Sequence, residues 1–357
     1  MTEKDLIHTI ALCHLHRNYL RRARERIHQY GSATEVWSHI DEPGMAEAMH
    51  CAEDEMNFIL QHNIQTYYYG EDSYPYRLRE CPDAPILLYG KGNIRTNTEH
   101  VVSVVGTRTA SERGKNFTRE LVMELGRALP EVTIVSGLAY GIDVAAHRAA
   151  LEADIPTIIV PAHGLDRIYP DLHRDVAVRS LTKGGLLTEY PSKTEPERQN
   201  FVARDRIIAG LADAVVVVES RQKGGSLITA RMAFDYDREV FARPGRPEDD
   251  SSRGCNNLIR SFRARLIESA DDIIKAMNWD IEARPAIQTE IVELFESLTN
   301  EERTLLDKLR LAEDGLHINC MVMETNLPYS TVSSTLMMME MKGLVCALPG
   351  GMYQARK

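Results

Sequence analysis

The chain has 357 residues, enough for two or three domains at about 150 residues each. Hydrophobic residues make up 43% and charged residues 26%, close to the soluble globular average, which excludes collagen-like, coiled-coil and broadly disordered architectures. The formal net charge of −10 excludes coating of nucleic acid by global positive charge. It leaves room for a local basic groove, because salt confines the relevant field to about 10 Å.

The longest fully apolar runs, such as Ala214-Val215-Val216-Val217-Val218, are far below the roughly 18 residues that span a bilayer. The first residues carry Glu3, Lys4 and Asp5 and lack a secretory or transit pattern, so the expectation is a soluble cytoplasmic protein without membrane association. Cys13, Cys51, Cys81, Cys255, Cys320 and Cys346 are scattered with no C-x-x-C pair, as expected of reduced thiols. Cys13, His14 and His16 lie close in sequence, but neighbouring helical positions point apart, so no metal site is expected.

Residues 1–70 read as a domain of short helices, with Leu6, Ile10, Cys13 and Tyr19 with Leu20 near helical spacing. Gly31 followed by Ser32 marks one helix ending and another being capped. Arg17, Arg21, Arg22, Arg24 and Arg26 form a basic stretch with two open readings. One is a solvated face balanced by Glu25 and Glu53-Asp54-Glu55, the other an auxiliary nucleic-acid contact. Between Tyr67 and Pro85, prolines and aromatics break the helical period and mark a boundary.

From 71 to 280 the pattern changes. Apolar β-branched runs at 101–105, 132–135, 157–160, 185–188, 214–218 and 240–242 alternate with helical stretches at 115–129, 142–153, 171–181, 204–211 and 227–236. Continuous apolar strands imply burial on both faces, and the alternation implies βαβ units. The predicted domain is α/β, a doubly wound, mainly parallel, Rossmann-like sheet. Residues 290–357 form the last predicted domain, with helices at 301–312, 317–325 and 329–342 and a closing hairpin, the pattern of a winged helix.

In an open parallel sheet, ligands bind beyond the carboxyl ends of the strands. Three loops there carry candidate residues. Gly106-Thr107-Arg108 combines close backbone approach with a planar guanidinium suited to phosphate. Ser136-Gly137-Leu138-Ala139-Tyr140-Gly141 opens a helix whose free N–H groups can hold an anion, and so does Lys223-Gly224-Gly225-Ser226. Together they point to a polyanion site. No G-x-G-x-x-G, Walker-type or G-x-S-x-G motif occurs, so no nucleotide cofactor is expected and no catalytic residue is assigned. His147 lacks a positioned carboxylate or nucleophile and reads as a packed histidine. Phe201 lies among Arg198, Arg204 and Arg206, either as a core residue or as a ring that stacks on an unpaired base while guanidiniums hold the backbone.

These residues carry a resemblance. Val105-Gly106-Thr107-Arg108 with Ser111 and Gly114, then Ser136 to Asp143 with Ala146-His147, then Gly164-Leu165-Asp166 with Tyr169-Pro170 follow in order. Arg206-Ile207-Ile208-Ala209-Gly210-Leu211, Gly225 to Ala230, Pro244-Gly245 and Gly254-Cys255-Asn256 continue the series. Over about residues 70–279 the chain resembles the DprA/Smf family of DNA-processing proteins. The resemblance implies an extended Rossmann-like domain that binds single-stranded DNA, forms a homodimer and helps load RecA recombinase during natural transformation. It implies a DNA groove lined by Gly106, Arg108, Ser136, Gly137, Gly141, Arg204, Arg206, Lys223, Gly224, Gly225 and Ser226, with Phe201 stacking and Arg198 near a phosphate.

The chain departs from that pattern at three places. Arg204-Asp205-Arg206 stands where the family usually has Arg-Asn-Arg, Gly224-Gly225-Ser226 where it has Ser-Gly-Ser, and Pro161-Ala162-His163-Gly164 replaces a more glycine-like segment. Asp205 would repel phosphate unless Arg204 or Arg206 pairs with it. The main alternative is a lysine-decarboxylase-like (LOG) phosphoribohydrolase, whose glycine loop the 224–230 segment resembles superficially. Ala230, Arg231 and Met232 stand where its glutamate belongs. The winged helix is expected to bind protein more readily than duplex, because acids including Glu290, Glu293, Glu296, Glu301, Glu313 and Asp314 outnumber its basic residues. Met337, Met338, Met339 and Met341 are expected as core, or as an adaptable contact surface.

Overall fold

A computed structural model describes residues 1–16, 20–279, 299–312, 315–342, 344–348 and 350–355. Arg17, Tyr19, Glu290, Glu293, Glu296, Glu313 and Asp314 lie outside the described residues. The chain divides into two compact units, Met1–Met277 and Asn278–Lys357.

Apolar runs without alternation need cover on both faces, and the first unit supplies it with helices on each side of one sheet. The strands are β1 (Gln65–Tyr68), β2 (Leu87–Gly92), β3 (Val101–Val105), β4 (Thr133–Ser136), β5 (Thr157–Ile159), β6 (Gly184–Thr188), β7 (Ala214–Val217), β8 (Glu239–Ala242) and β9 (Arg265–Leu266). Their order is β1-β2-β6-β5-β4-β3-β7-β8-β9. Strands β3 to β9 run parallel, and the edge formed by β1 and β2 is antiparallel. Val102 lies opposite Ala214 and Val104 opposite Val216 in the central pair, all fully buried. Strands β4 to β6 are added on one side of β3 and β7 to β9 on the other. The crevice of this doubly wound sheet therefore opens between the carboxyl ends of β3 and β7.

Three features differ from the sequence expectation. Strands β1 and β2, which flank the stretch read as a boundary, were not expected, because β1 pairs only with β2 and β2 with distant β6, with Gly90 opposite Leu187. The helix expected at 204–211 begins at Arg198, directly after Pro196 and Glu197, so Phe201 is helical. The 171–181 stretch is a short 3-10 turn, Asp171–His173, followed by helix Arg174–Ser180.

Four helices, Glu3–Leu15, Leu20–Tyr30, Ala33–His39 and Met45–His62, precede the sheet. Leu6, Ile10, Ala52 and Met56 share a core with Leu87 and Tyr89 of β2, so helices and sheet edge are packed together. In the basic stretch, Arg21 pairs with Glu25, Arg22 and Arg26 with Glu42, and Arg24 donates to Pro82 O. Each arginine of the stretch among the described residues thus has a partner within the chain.

The second unit packs helices Asn300–Leu311, Ile318–Thr325 and Tyr329–Met341 against a small sheet of β10 (Leu316–His317), β11 (Val345–Leu348) and β12 (Met352–Ala355), ordered β10-β12-β11. It is a winged helix. A capping box between Thr299 and Glu302 starts its first helix. Val332, Leu336 and Met339 recur at helical spacing and are buried, whereas Met337 is 65% exposed and Met338 half-exposed. The methionine run is thus core at Met339 and surface at its two neighbours.

One ion pair with a buried arginine ties the short helix Tyr76–Arg79 to the sheet. Arg77 donates to Asp213 at 2.5 Å and to the carbonyls of Thr98 and Glu99 at 2.9 and 2.7 Å, while Asp213 also accepts from Val101 N at 2.8 Å. Arg77→Ala leaves Asp213 and two carbonyls without their donor. It should lower the unfolding free energy by about 3–5 kcal/mol, measured by urea titration; an unchanged midpoint would show the pair to be dispensable.

Candidate nucleic-acid interface

The loop after β3 is shaped by close approach. A Cβ on Gly106 would lie 2.4 Å from Ile142 Cγ1, and one on Gly141, at φ +80°, would lie 2.2 Å from Thr107 O. Only glycine lets the 106–108 and 137–141 loops press together. Thr107 N donates to Glu219 O at 2.8 Å, which splices the exit of β3 to that of β7. The buried Glu219 carboxylate accepts from Ser111 N at 2.9 Å and from its hydroxyl, fixing the start of helix Glu112–Ala128.

Arg108 emerges from this frame exposed, its guanidinium 5.1 Å from the centre of the Phe201 ring. On the other side Tyr169, 45% exposed, brings its ring to 5.9 Å from that of Phe201. Phe201 is only half-buried, on the first turns of helix Arg198–Leu211. The three side chains form one aromatic and cationic face at the carboxyl edge of the sheet. Tyr140 adds an exposed ring braced edge-on against the buried His173 at 5.0 Å. Tyr169 and Tyr140 were not singled out in the sequence, although both stand inside the motif strings.

The remaining candidates separate into two groups. Arg198, Arg221 and Lys223 are exposed and form no ion pair among the described residues. Gly225 is open to solvent at the start of helix Ser226–Asp235, while a Cβ on Gly224 would meet Ser220 Oγ at 2.2 Å. These groups can meet a phosphate directly.

The other side chains are internal, which corrects the expectation that they line the groove. Ser136 is fully buried and donates to Val104 O at 2.6 Å. Ser226 is buried and donates to Ser220 Oγ at 2.9 Å. Arg204 is 3% exposed, donates to Gly137 O at 2.9 Å and to Val160 O, and pairs with Asp205 at 3.2 Å. A Cβ on Gly137 would lie 2.4 Å from Arg204 Nη1, so this glycine admits the guanidinium. Arg206 pairs with buried Glu189 at 2.5 Å. A guanidinium out of water needs fixed partners; Arg204 finds them inside, whereas Arg206 pairs through Nη2 and leaves Nη1 buried without a hydrogen-bond partner among the described residues. Arg204 is therefore held within the fold, beneath the face formed by Arg108, Phe201 and Tyr169.

Asp205 consequently does not face the groove as a lone charge. Burial pushes its carboxyl up, opposed by Arg204 and by a hydrogen bond with Thr229. Burial also pushes Asp143 up to about 6, against the pull of Arg204 and of hydrogen bonds from Ala139 and Gly137 N–H. His147 is fully buried, within 2.8 Å of Thr157 Oγ1, and burial lowers its pKa to about 3, which fits a packed neutral imidazole.

Around this geometry the comparisons with known proteins can be read. Residues 65–278 match the family described as DNA recombination-mediator protein A, and residues 295–351 match the DprA winged helix domain. The chain belongs to this recombination-mediator family. Protein Smf of Synechocystis sp. is 34% identical over 326 residues, 83% of this chain and 81% of its own. DNA processing protein DprA of Streptococcus pneumoniae is 41% identical over 204 residues, 57% of this chain and 71% of its own. The X-ray structure of the S. pneumoniae protein superposes with a TM-score of 0.61 at 36% identity, covering 68% of this chain and 84% of that one. The DNA processing protein A of Helicobacter pylori, solved for its single-stranded DNA binding mode, superposes with a TM-score of 0.55 at 30% identity, covering 61% and 96%.

The raised Asp143 carboxyl has a signed consequence for stability. The folded chain holds this proton more tightly than the unfolded one, so the stabilisation present below about pH 4 is lost as pH rises through about 6. Urea unfolding between pH 4 and 7 should show this decline in the parent chain and a flatter profile in Asp143→Asn. Identical profiles would remove Asp143 as the titrating group.

Proposed function

We propose that this chain is a sequence-independent single-stranded DNA-binding mediator that protects incoming strands and helps load RecA recombinase in natural transformation. The observation that carries the reading is the face formed by Phe201, Tyr169 and Arg108, set at the crevice of the sheet and flanked by glycine loops. Rings stack on any unpaired base, and backbone amides and exposed cations hold phosphates without reading sequence. A duplex keeps its bases stacked on each other and offers this face nothing. The proposal includes a cytoplasmic homodimer that acts without catalysis, and the match to a recombination-mediator family supports its mediator role. The phosphoribohydrolase alternative lacks support in the same place, because helix Ser226–Asp235 has no acidic residue in its first turn.

Fluorescence anisotropy with a labelled oligothymidine and a matched duplex, across a salt series, tests this reading. Tight binding to the single strand alone is expected, and equal or weak binding to both would overturn it. Phe201→Ala should weaken single-strand binding by about 1–3 kcal/mol per stacked base lost. Arg108→Ala should also reduce the log–log salt slope by about 0.7, the contribution of one phosphate contact on a single strand. An unaltered affinity and slope would take Arg108 out of the interface.

Helix Tyr329–Met341 of the winged helix carries no lysine or arginine, and exposes Tyr329, Met337 and Met338. It is suited to a protein surface more than to phosphates. Deleting residues 290–357 should leave oligothymidine binding within about twofold of the full chain, since every candidate residue of the interface lies in the first unit. Complete loss of binding would assign the winged helix to the DNA site.

A further inference from the structure

A buried histidine stands against the main chain of Tyr169. His163 follows the end of β5 and is 1% exposed, so its two ring nitrogens have to be satisfied inside the fold. Nδ1 lies 2.8 Å from Gly164 O, and Nε2 lies 3.1 Å from Tyr169 N. Each of these partners has a single role. A carbonyl oxygen only accepts, so Nδ1 carries the proton; a backbone N–H only donates, so Nε2 presents its lone pair. The ring is therefore the neutral Nδ1–H tautomer, and burial lowers its pKa in keeping with that. The charges that face it are Asp166 and Arg167, and Arg167 is itself paired with Asp166 at 2.9 Å and with Glu195.

The loop from 163 to 169 is fastened at its start and middle without help from the imidazole. The carbonyl of His163 accepts from the buried Thr188 hydroxyl at 3.2 Å. Gly164 N donates to Thr194 O at 3.3 Å, and the Asp166 carboxylate accepts from Lys193 N at 3.0 Å. Leu165 and Ile168 pack against the core that holds Leu138 and Ile159. At the far end Tyr169 turns outward, with its ring beside that of Phe201. Here Nε2 reaches across the loop to take the Tyr169 N–H. A ring on a main chain left loose would have to be ordered at the moment a strand binds, at a cost in affinity.

We infer that His163 is a positioning residue of the interface: its Nε2 fixes the main chain of Tyr169 and so sets the Tyr169 ring beside Phe201 for stacking. The inference rests on the single-stranded DNA reading. It gives a task to one of the departures from the family pattern, since a glycine-like residue at 163 has no side-chain acceptor.

Two readouts on the full chain need no DNA. Nitrogen-15 spectra of the histidines should show His163 as the Nδ1–H tautomer. Hydrogen exchange at the Tyr169 amide should quicken by about tenfold in His163→Leu, which keeps bulk and removes the acceptor, the scale of one hydrogen bond lost. His163→Gln, whose amide oxygen stands as far from the backbone as Nε2, should restore slow exchange. With oligothymidine, the Leu variant should bind about tenfold more weakly than the parent and the Gln variant within about twofold, the size expected for one misplaced stacking ring. In the Tyr169→Ala background, His163→Leu should add nothing, because the ring it positions is gone. An Nε2–H tautomer, unchanged amide exchange in the Leu variant, a Gln variant as weak as the Leu variant, or an undiminished effect in the Tyr169→Ala background would each overturn the inference. Failure of the parent chain to bind oligothymidine would instead overturn the single-strand reading, and with it the role in stacking, while the tautomer and exchange still report the hydrogen bond.

Discussion

A guanidinium sealed beneath the carboxyl edge of the sheet is the constraint on which the candidate interface depends. Out of water, Arg204 has to be met by acceptors on every side, and the acceptors come from separate parts of the chain: the carbonyls of Gly137 and Val160 and the carboxylate of Asp205, with Asp143 nearby. The ends of β4 and β5 and the helix that carries Phe201 are thereby held in one arrangement. Removing one member of such a set leaves buried charge uncompensated, so the arrangement is stiff as well as specific. Stiffness matters because a stacking ring contributes most when it need not be ordered at the moment of binding.

This division of labour gives the sequence motifs a physical reading. Gly106, Gly137 and Gly141 admit a neighbour that any side chain would displace, whereas Gly225 faces open space. The aspartate at position 205, unusual beside the family pattern, is neutralised by Arg204 within the helix that bears both. A carboxylate accepting from a guanidinium differs little in shape from an amide doing so, but it adds a charge that the surrounding arginines must balance. Arg206 answers a different demand, joining the same helix to Glu189 beyond the end of β6.

Much of the fold was legible because the parallel strands are continuous β-branched runs, such as Val215-Val216-Val217, that only two-sided burial satisfies. Strands β1 and β2 were not, since Gln65-Thr66-Tyr67-Tyr68 is short and becomes a strand only beside a partner supplied by the chain elsewhere. In the site, the glycine loops and the exposed Arg108 were readable from position alone. Arg204 and Arg206 were misread because arginine on a helix ordinarily faces water. Their burial is decided by Val160 and Glu189, which lie 44 and 17 residues away. Tyr169 was overlooked since its proximity to Phe201 is a product of folding, with no local periodicity to announce it.

The internal commitment of Arg204 and Arg206 also shapes how a strand would leave. On the proposed function, the cations left to hold a backbone are the exposed Arg108, Arg198, Arg221 and Lys223, and much of the hold would come from separate rings at Phe201, Tyr169 and Tyr140. A strand held this way can be peeled base by base, each step opposed by about 1–3 kcal/mol, instead of being torn from a continuous line of ion pairs. Such graded release favours transfer, because an incoming protein can take each nucleotide as it is vacated and no moment arrives at which the whole strand is bare.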